Sequence, residues 1–247
     1  MTLLPALAVL LAAAAIVPAR AAELQVIAGG GIAVALNEIA AQFEQQSGHK
    51  LTIRYGTTPE LIALARSQPF DLALTPREVF RDEGAAAKLA PGGTTDIARV
   101  GLGVAVKAGA PKPDIASPEA LKQALLGARS IATIPASAAG AQVMKLFEKL
   151  GVANEVKAKL VAVASPPKLI EALAEGQAEL GLFLTNVLTT NGLDLVGPVP
   201  AELDQDLVYT AAAAADAQQA ALARAFLAFL QSPQAKAVLT ARGLRPV

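Results

Sequence analysis

The stretch Ala28-Gly29-Gly30-Gly31-Ile32 decides the fold, because a buried strand gives way to a helix there. Upstream, Leu24 to Ala28 is a short, largely apolar run with a β-branched pair at Val26 and Ile27, which predicts a strand. Downstream, Ile32, Leu36, Ile39 and Phe43 recur at helical spacing, and Gly48 stops the helix. The glycines between them let the backbone approach a ligand closely. The first N–H groups of the helix have no intrahelical acceptor, and they point the same way as the positive end of its dipole. The turn is therefore a ready anion site, with Gly30, Gly31 and Ile32 as its expected donors.

The same arrangement recurs along the chain. A strand over Leu51 to Tyr55 ends in Gly56-Thr57-Thr58-Pro59-Glu60, where Thr58 suits an N-cap, Pro59 the first helical position and Glu60 the dipole. Thr57 and Thr58 thus join the expected ligand contacts. A third strand, Phe70 to Leu74, runs into Thr75-Pro76-Arg77 and a helix from Glu78. Arg77 lies just past the carboxyl end of that strand, where ligands bind in open α/β sheets, and its planar fork suits a carboxylate. Val100 to Lys107 reads as one apolar strand, and Ser130 to Ile134 as another. The latter leads through Pro135-Ala136-Ser137-Ala138-Ala139-Gly140 into a helix that stops at Gly151. Further strands are expected at Leu160 to Val163, Glu179 to Thr185, Val196 to Val199 and Leu207 to Thr210, with two closing helices after Asp216. This rhythm predicts an α/β fold with mostly parallel sheet. Donor-rich strand ends fall in both halves of the chain, which suits a ligand cleft between two lobes. The expected first lobe is 22–103 with 205–247, and the second is 104–204.

Composition narrows the function classes. The 247 residues are 53% hydrophobic, enough for two lobes with real cores. Lys and Arg together number 21, as do Asp and Glu, so no charge imbalance points to nucleic acid or an anionic membrane. Aromatic residues make up only 4% and tryptophan is absent, which favours a small polar or ionic ligand over a stacked sugar or base. The apolar run Leu3 to Val17 followed by Ala19-Arg20-Ala21 reads as a secretory signal peptide over 1–21, cut after Ala21, rather than as a membrane anchor. Cleavage leaves 20 basic against 21 acidic residues, a net charge of −1, and a product free in the periplasm. Cysteine is absent, which excludes disulfides, thiol nucleophiles and thiolate metal sites.

Catalytic motifs are scarce. The single histidine, His49, precedes the second strand, at the edge opposite the expected site, and reads as an exposed loop residue. No paired acidic metal motif and no phosphate-binding Gly-Lys-Ser/Thr loop is present, so neither metal nor nucleotide cofactor is expected. The glycine turn lacks the third glycine of a dinucleotide fingerprint, since Val34 stands there.

Several of these segments resemble the periplasmic molybdate-binding proteins of ABC importers. They are Val26 to Ile32, Phe43-Glu44-Gln45-Gln46-Ser47-Gly48, Tyr55-Gly56-Thr57-Thr58, Phe70-Asp71-Leu72-Ala73-Leu74, Pro135 to Gly140 and Glu175-Gly176-Gln177-Ala178-Glu179-Leu180-Gly181. The resemblance implies a type II periplasmic binding protein, a monomer whose two α/β lobes close on a ligand and which works with an importer permease. It implies ligand contacts at Thr57 or Thr58 and along Ser137, Ala138 and Ala139. The chain departs from the family where Gly30 and Gly31 replace a serine and where Phe183, which the resemblance also places among the ligand contacts, replaces a tyrosine. Pro166 and Pro167 also fall where a backbone donor is customary. A divergent branch of the family also resembles a periplasmic aconitate isomerase. The expected ligand is a small anion, a carboxylate ahead of molybdate or tungstate, with Arg77 and secondarily Arg54 or Lys168 as charge partners. The alternative is an isomerase that moves a proton within an unsaturated carboxylate, its base sought at Tyr55 or Glu60.

Overall fold

The computed structural model describes residues 21–203 and 206–247, so the expected signal peptide, 1–21, lies outside the described residues except for its last position. Strand β1 (Glu23–Gly29) runs through a single 3-10 turn, Gly30–Ile32, into helix α1 (Ala33–Ser47). Gly48 ends that helix at φ 71°, a left-handed conformation that costs glycine nothing. Next come β2 (Lys50–Gly56), α2 (Thr58–Ser67) and β3 (Leu72–Pro76). The helix expected from Glu78 is instead a 3-10 turn over Arg77–Arg81 and a short α3 (Glu83–Ala86).

The apolar run around Gly101 is two strands, β4 (Thr95–Val100) and β5 (Leu102–Lys107), and the chain changes sheet between them. The second sheet is completed through α4 (Pro118–Gly127), β6 (Ile131–Thr133), α5 (Ala138–Leu150), α6 (Ala153–Lys157) and β7 (Leu160–Ala162). It continues with α7 (Pro166–Ala174), β8 (Leu180–Leu184), α8 (Thr185–Leu188) and β9 (Leu193–Pro198). The chain then returns to the first sheet with β10 (Leu207–Ala213), α9 (Ala220–Leu230), α10 (Pro233–Ala241) and β11 (Arg245–Pro246).

The first sheet has the order β11-β4-β10-β3-β1-β2 and the second β7-β6-β8-β5-β9, one in each lobe. Both are mixed, where mostly parallel sheets were expected. β1, β2 and β3 run parallel, as do β6, β7 and β8, whereas β10 is antiparallel to β3 and β4, and β5 to β8 and β9. The antiparallel strands are those next to the crossings, where the chain leaves one sheet and arrives in the other.

β1 is buried on both faces. Leu24, Val26 and Ala28 join Leu36, Ile39 and Phe43 in the main core, while Ile27 packs with Leu61, Ala65, Phe70 and Ala73 on the other side. The alternation is the period-two pattern of a central strand, and burial of each large side chain stabilises the fold by about 1.5–3 kcal/mol. Asp71, 2% exposed, ties this region to the closing helices. Its carboxylate accepts the Gln25 N–H and the Gln219 N–H, each at 2.8 Å.

Candidate functional site

Three helix starts converge between the lobes. At the first, Gly31 has no room for a side chain: a Cβ there would lie 2.4 Å from Tyr209 Oη and 2.7 Å from Leu184 Cδ1. Ile32, expected as a contact, turns its fully buried side chain into the core and is not a wall residue of the cleft.

At the second start, Thr57 is the N-cap, where Thr58 was expected. The Glu60 carboxylate accepts the Thr57 N–H at 2.7 Å and its hydroxyl at 2.8 Å. These bonds hold the Glu60 carboxyl below its ordinary pKa, so Glu60 is a fixed cap rather than a base in waiting. Thr58 is thereby released from capping, and its Oγ1 accepts the Ala138 N–H from the opposite lobe at 2.9 Å.

At the third start, the Ser137 hydroxyl accepts from Gly140 N–H at 2.9 Å and donates to the Ile134 carbonyl at 2.8 Å. That hydroxyl is spent on the turn, which leaves backbone N–H groups as the local donors. Gly140 makes the turn feasible, because a Cβ there would sit 1.9 Å from the Ile134 carbonyl oxygen. A second cross-cleft bond, from Asn186 Nδ2 to the Gly31 carbonyl at 2.7 Å, holds the lobes together.

The cavity so enclosed measures about 30 Å³. Its walls are Gly29–Gly31, Gly56–Thr58, Ser137–Ala139, Pro76, Phe183, Leu184, Leu207 and Tyr209. Eight of the ten expected contacts therefore meet here: Gly30, Gly31, Thr57, Thr58, Ser137, Ala138, Ala139 and Phe183. Arg77 does not. It pairs with Asp96, which also accepts the Thr210 hydroxyl, and it lines a separate cavity nearby. No side chain in the cleft wall carries a charge.

Tyr209 is the wall residue that strand-end reasoning missed. It is 1% exposed, and its hydroxyl has no hydrogen-bond partner among the described residues. Burial, and secondarily the negative charge of Glu78, push its pKa well above the ordinary phenol value, so it remains a donor. Its position follows from the antiparallel pairing of β10 with β3, which sets Tyr209 opposite Pro76 at the carboxyl edge of the parallel strands. The legible signal was a lone tyrosine in an apolar strand, since a buried phenol needs somewhere to direct its O–H.

The remaining candidates lie elsewhere. Arg54 donates to the Pro69 carbonyl at 2.7 Å, and Lys168 pairs with Glu171 at 2.6 Å. Tyr55 donates to Asn37 Oδ1 at 2.6 Å. His49 is half-buried rather than exposed, its Nδ1 accepting the Ala22 N–H at 3.1 Å. Among the described residues, no three His, Cys, Asp or Glu side chains gather to hold a metal ion, and no helix is long and apolar enough to cross a membrane.

Known proteins share this architecture. The chain is 32% identical over 232 residues to an aconitate isomerase from Pseudomonas sp, covering 91% of this chain and 88% of that protein. It is 28% identical to the molybdate-binding protein ModA of Azotobacter vinelandii, over 91% of this chain and 90% of the relative. The solved Azotobacter vinelandii periplasmic molybdate-binding protein superposes with a TM-score of 0.74 at 20% identity, covering 90% of this chain and 98% of that one. The family model of bacterial extracellular solute-binding proteins matches residues 24–245, nearly the whole described chain. With two lobes, a donor-lined cleft between them and that match, the protein belongs to the bacterial extracellular solute-binding protein family.

Proposed function

We propose that this solute-binding protein works in the periplasm after signal cleavage, capturing a small carboxylate anion and presenting it to the permease of an ABC importer. One observation carries the reading. Three helix starts and the Tyr209 hydroxyl converge on a cleft whose wall contains no charged side chain. Such a wall binds an anion through N–H and O–H dipoles, without the cost of burying a counter-charge. The other wall, from Pro76, Phe183, Leu184 and Leu207, is apolar and suits a carbon skeleton. A tetrahedral oxyanion would need donors on that side as well, each charge-assisted bond contributing about 1.5–3 kcal/mol.

The cavity has about the volume of one water molecule, so the ligand is admitted as the lobes part by hinge bending. On closure it takes over the Ala138 N–H that Thr58 otherwise accepts.

A second reading, an isomerase shifting a proton within an unsaturated carboxylate, is favoured by the 32% identity to an aconitate isomerase. Neither Tyr55 nor Glu60 serves as its base, because both are committed to other partners.

A melting-temperature screen against cis- and trans-aconitate, citrate, molybdate, tungstate and sulfate tests both readings. Saturation at about 100 times Kd adds roughly 2.7 kcal/mol of stability. A shift with carboxylates and none with oxyanions is expected. Conversion of one aconitate isomer into the other in the same samples would establish the isomerase, and a shift with molybdate or tungstate alone would overturn the carboxylate reading.

A further inference from the structure

A second cavity, of about 190 Å³, lies beside the cleft and between the same two lobes. Its wall on one side is the Arg77–Arg81 turn with Val208, and on the other α5 from Ala138 to Lys145. Ala138 belongs to the walls of both cavities, so the two adjoin at the start of α5.

Their chemistry differs. Arg77 is balanced by Asp96, and Asp206 by Arg245. Arg81 and Lys145 form no ion pair among the described residues, and together they outweigh Glu78 by one positive charge. Glu78 Oε2 and Gln142 Oε1 are buried there without hydrogen-bond partners, and both are acceptors, so attraction for an anion in this cavity comes from the two cations alone. These two cations, unpaired among the described residues, come from opposite lobes, one on the 3-10 turn and the other on α5.

We propose that this cavity is a second anion subsite, which receives a further carboxylate of a ligand whose first carboxylate sits in the neutral cleft. The ligand class is then a di- or tricarboxylate. The inference rests on the carboxylate reading of the cleft and adds a specificity element to it. The excess of one positive charge matches one carboxylate. A group held between Arg81 and Lys145 also ties the lobes together, so it favours closure on a long anion over closure on a compact one. Glu78 sets the limit, since a second negative group in the same cavity would meet its repulsion.

Calorimetric titration of the purified protein with trans-aconitate, tricarballylate and molybdate tests this, on the parent and on Arg81→Ala/Lys145→Ala. Both substituted side chains are exposed, and an unchanged melting temperature checks that the variant folds. The tricarboxylates should bind the parent and lose about thirtyfold or more in affinity in the variant, with a steeper salt dependence in the parent. Tricarboxylate binding that is unaltered in the variant would overturn the subsite while leaving the cleft reading intact. Binding of molybdate alone would overturn the subsite and the carboxylate preference, but not anion capture. No binding of any probe to the parent would overturn both.

Discussion

The cleft and the cavity beside it share Ala138 and little else. In the cleft, the donors are backbone N–H groups and two hydroxyls, each placed by a strand end or a helix start, and none is ionised. In the neighbouring cavity the polar groups are long side chains, Arg77, Arg81, Lys145 and Glu78, placed by a 3-10 turn and the outer face of α5. The neutral site is rigid because its groups belong to the main chain, and its polarity does not depend on pH or salt. The charged site is adjustable, screened and open to substitution without harm to the fold. Main-chain turns supply the first, while exposed side chains on the 3-10 turn and α5 supply the second.

The contrast can be broken most severely at Gly140. Gly140→Ala places a methyl 1.9 Å from the Ile134 carbonyl oxygen, which cannot move without the turn. A loss of about 3 kcal/mol in urea unfolding is expected, together with loss of anion binding. A melting temperature within a degree or so of the parent would show that the turn is plastic, and the neutral site less rigid than described.

Tyr209→Phe comes next. It removes the one hydroxyl in the cleft that has no partner among the described residues, so affinity for a small anion should fall about tenfold or more with little change in unliganded stability. Gly31→Ser alone should also weaken binding, through the clash with Tyr209 Oη. Gly31→Ser combined with Tyr209→Phe removes the closer of the two clashes, leaving the one with the end of the Leu184 side chain, and should recover part of the affinity. Calorimetry that found no recovery would show that a serine hydroxyl in the first turn does not stand in for that of Tyr209.

Thr58→Val removes the acceptor for Ala138 N–H across the cleft. The lobes should open further in the absence of ligand, seen as a larger radius of gyration by small-angle scattering. Anion affinity should fall about fivefold to tenfold, because the Thr58 hydroxyl, released when the ligand takes the Ala138 N–H, is lost as a donor to the anion. Thr58→Ser should restore both. Arg77→Ala is expected to change affinity for a compact anion by less than about twofold and stability by no more than about 1 kcal/mol, because its guanidinium is half-exposed and engaged by Asp96 outside the cleft. A tenfold loss would return Arg77 to the cleft.

The smallest effect is in pH. Burial and the charge of Glu78 raise the Tyr209 phenol above its ordinary value of 10.0. A group whose pKa is raised on folding contributes stability below its unfolded value and loses that contribution as pH climbs through its folded value. The donor therefore persists, and affinity measured by calorimetry should be flat from about pH 6 to about pH 9. Any decline within that window would show that an ionising group takes part in the cleft.

Much of this arrangement was legible along the chain. The glycine turn after β1, the Thr57–Thr58 turn and the Ser137–Ala139 turn are local events, each written within about ten residues by a β-branched run, a cap and the start of a helical period. Other features were not. The alanine run 211–213 has weak strand preference on its own, yet it forms the end of β10 because that strand lies between β3 and β4 and completes both ladders. Likewise the apolar stretch Val100 to Lys107 reads locally as one strand, although it holds the end of β4 and all of β5, which belong to different sheets.

By itself, then, the sequence determined the α/β class and the three donor-bearing turns, since capping, glycine geometry and hydrophobic period act over a few residues. Only the tertiary structure decided which strands run backwards, and with that which side chains reach the cleft. Antiparallel pairing carries the start of β10 to the edge where the parallel strands end, so Tyr209 enters the site although no strand end in the sequence announces it. Arg77, which stands at such an end, is drawn away to Asp96 on β4, the neighbour of β10, because a long charged side chain settles on the partner that the sheet order provides.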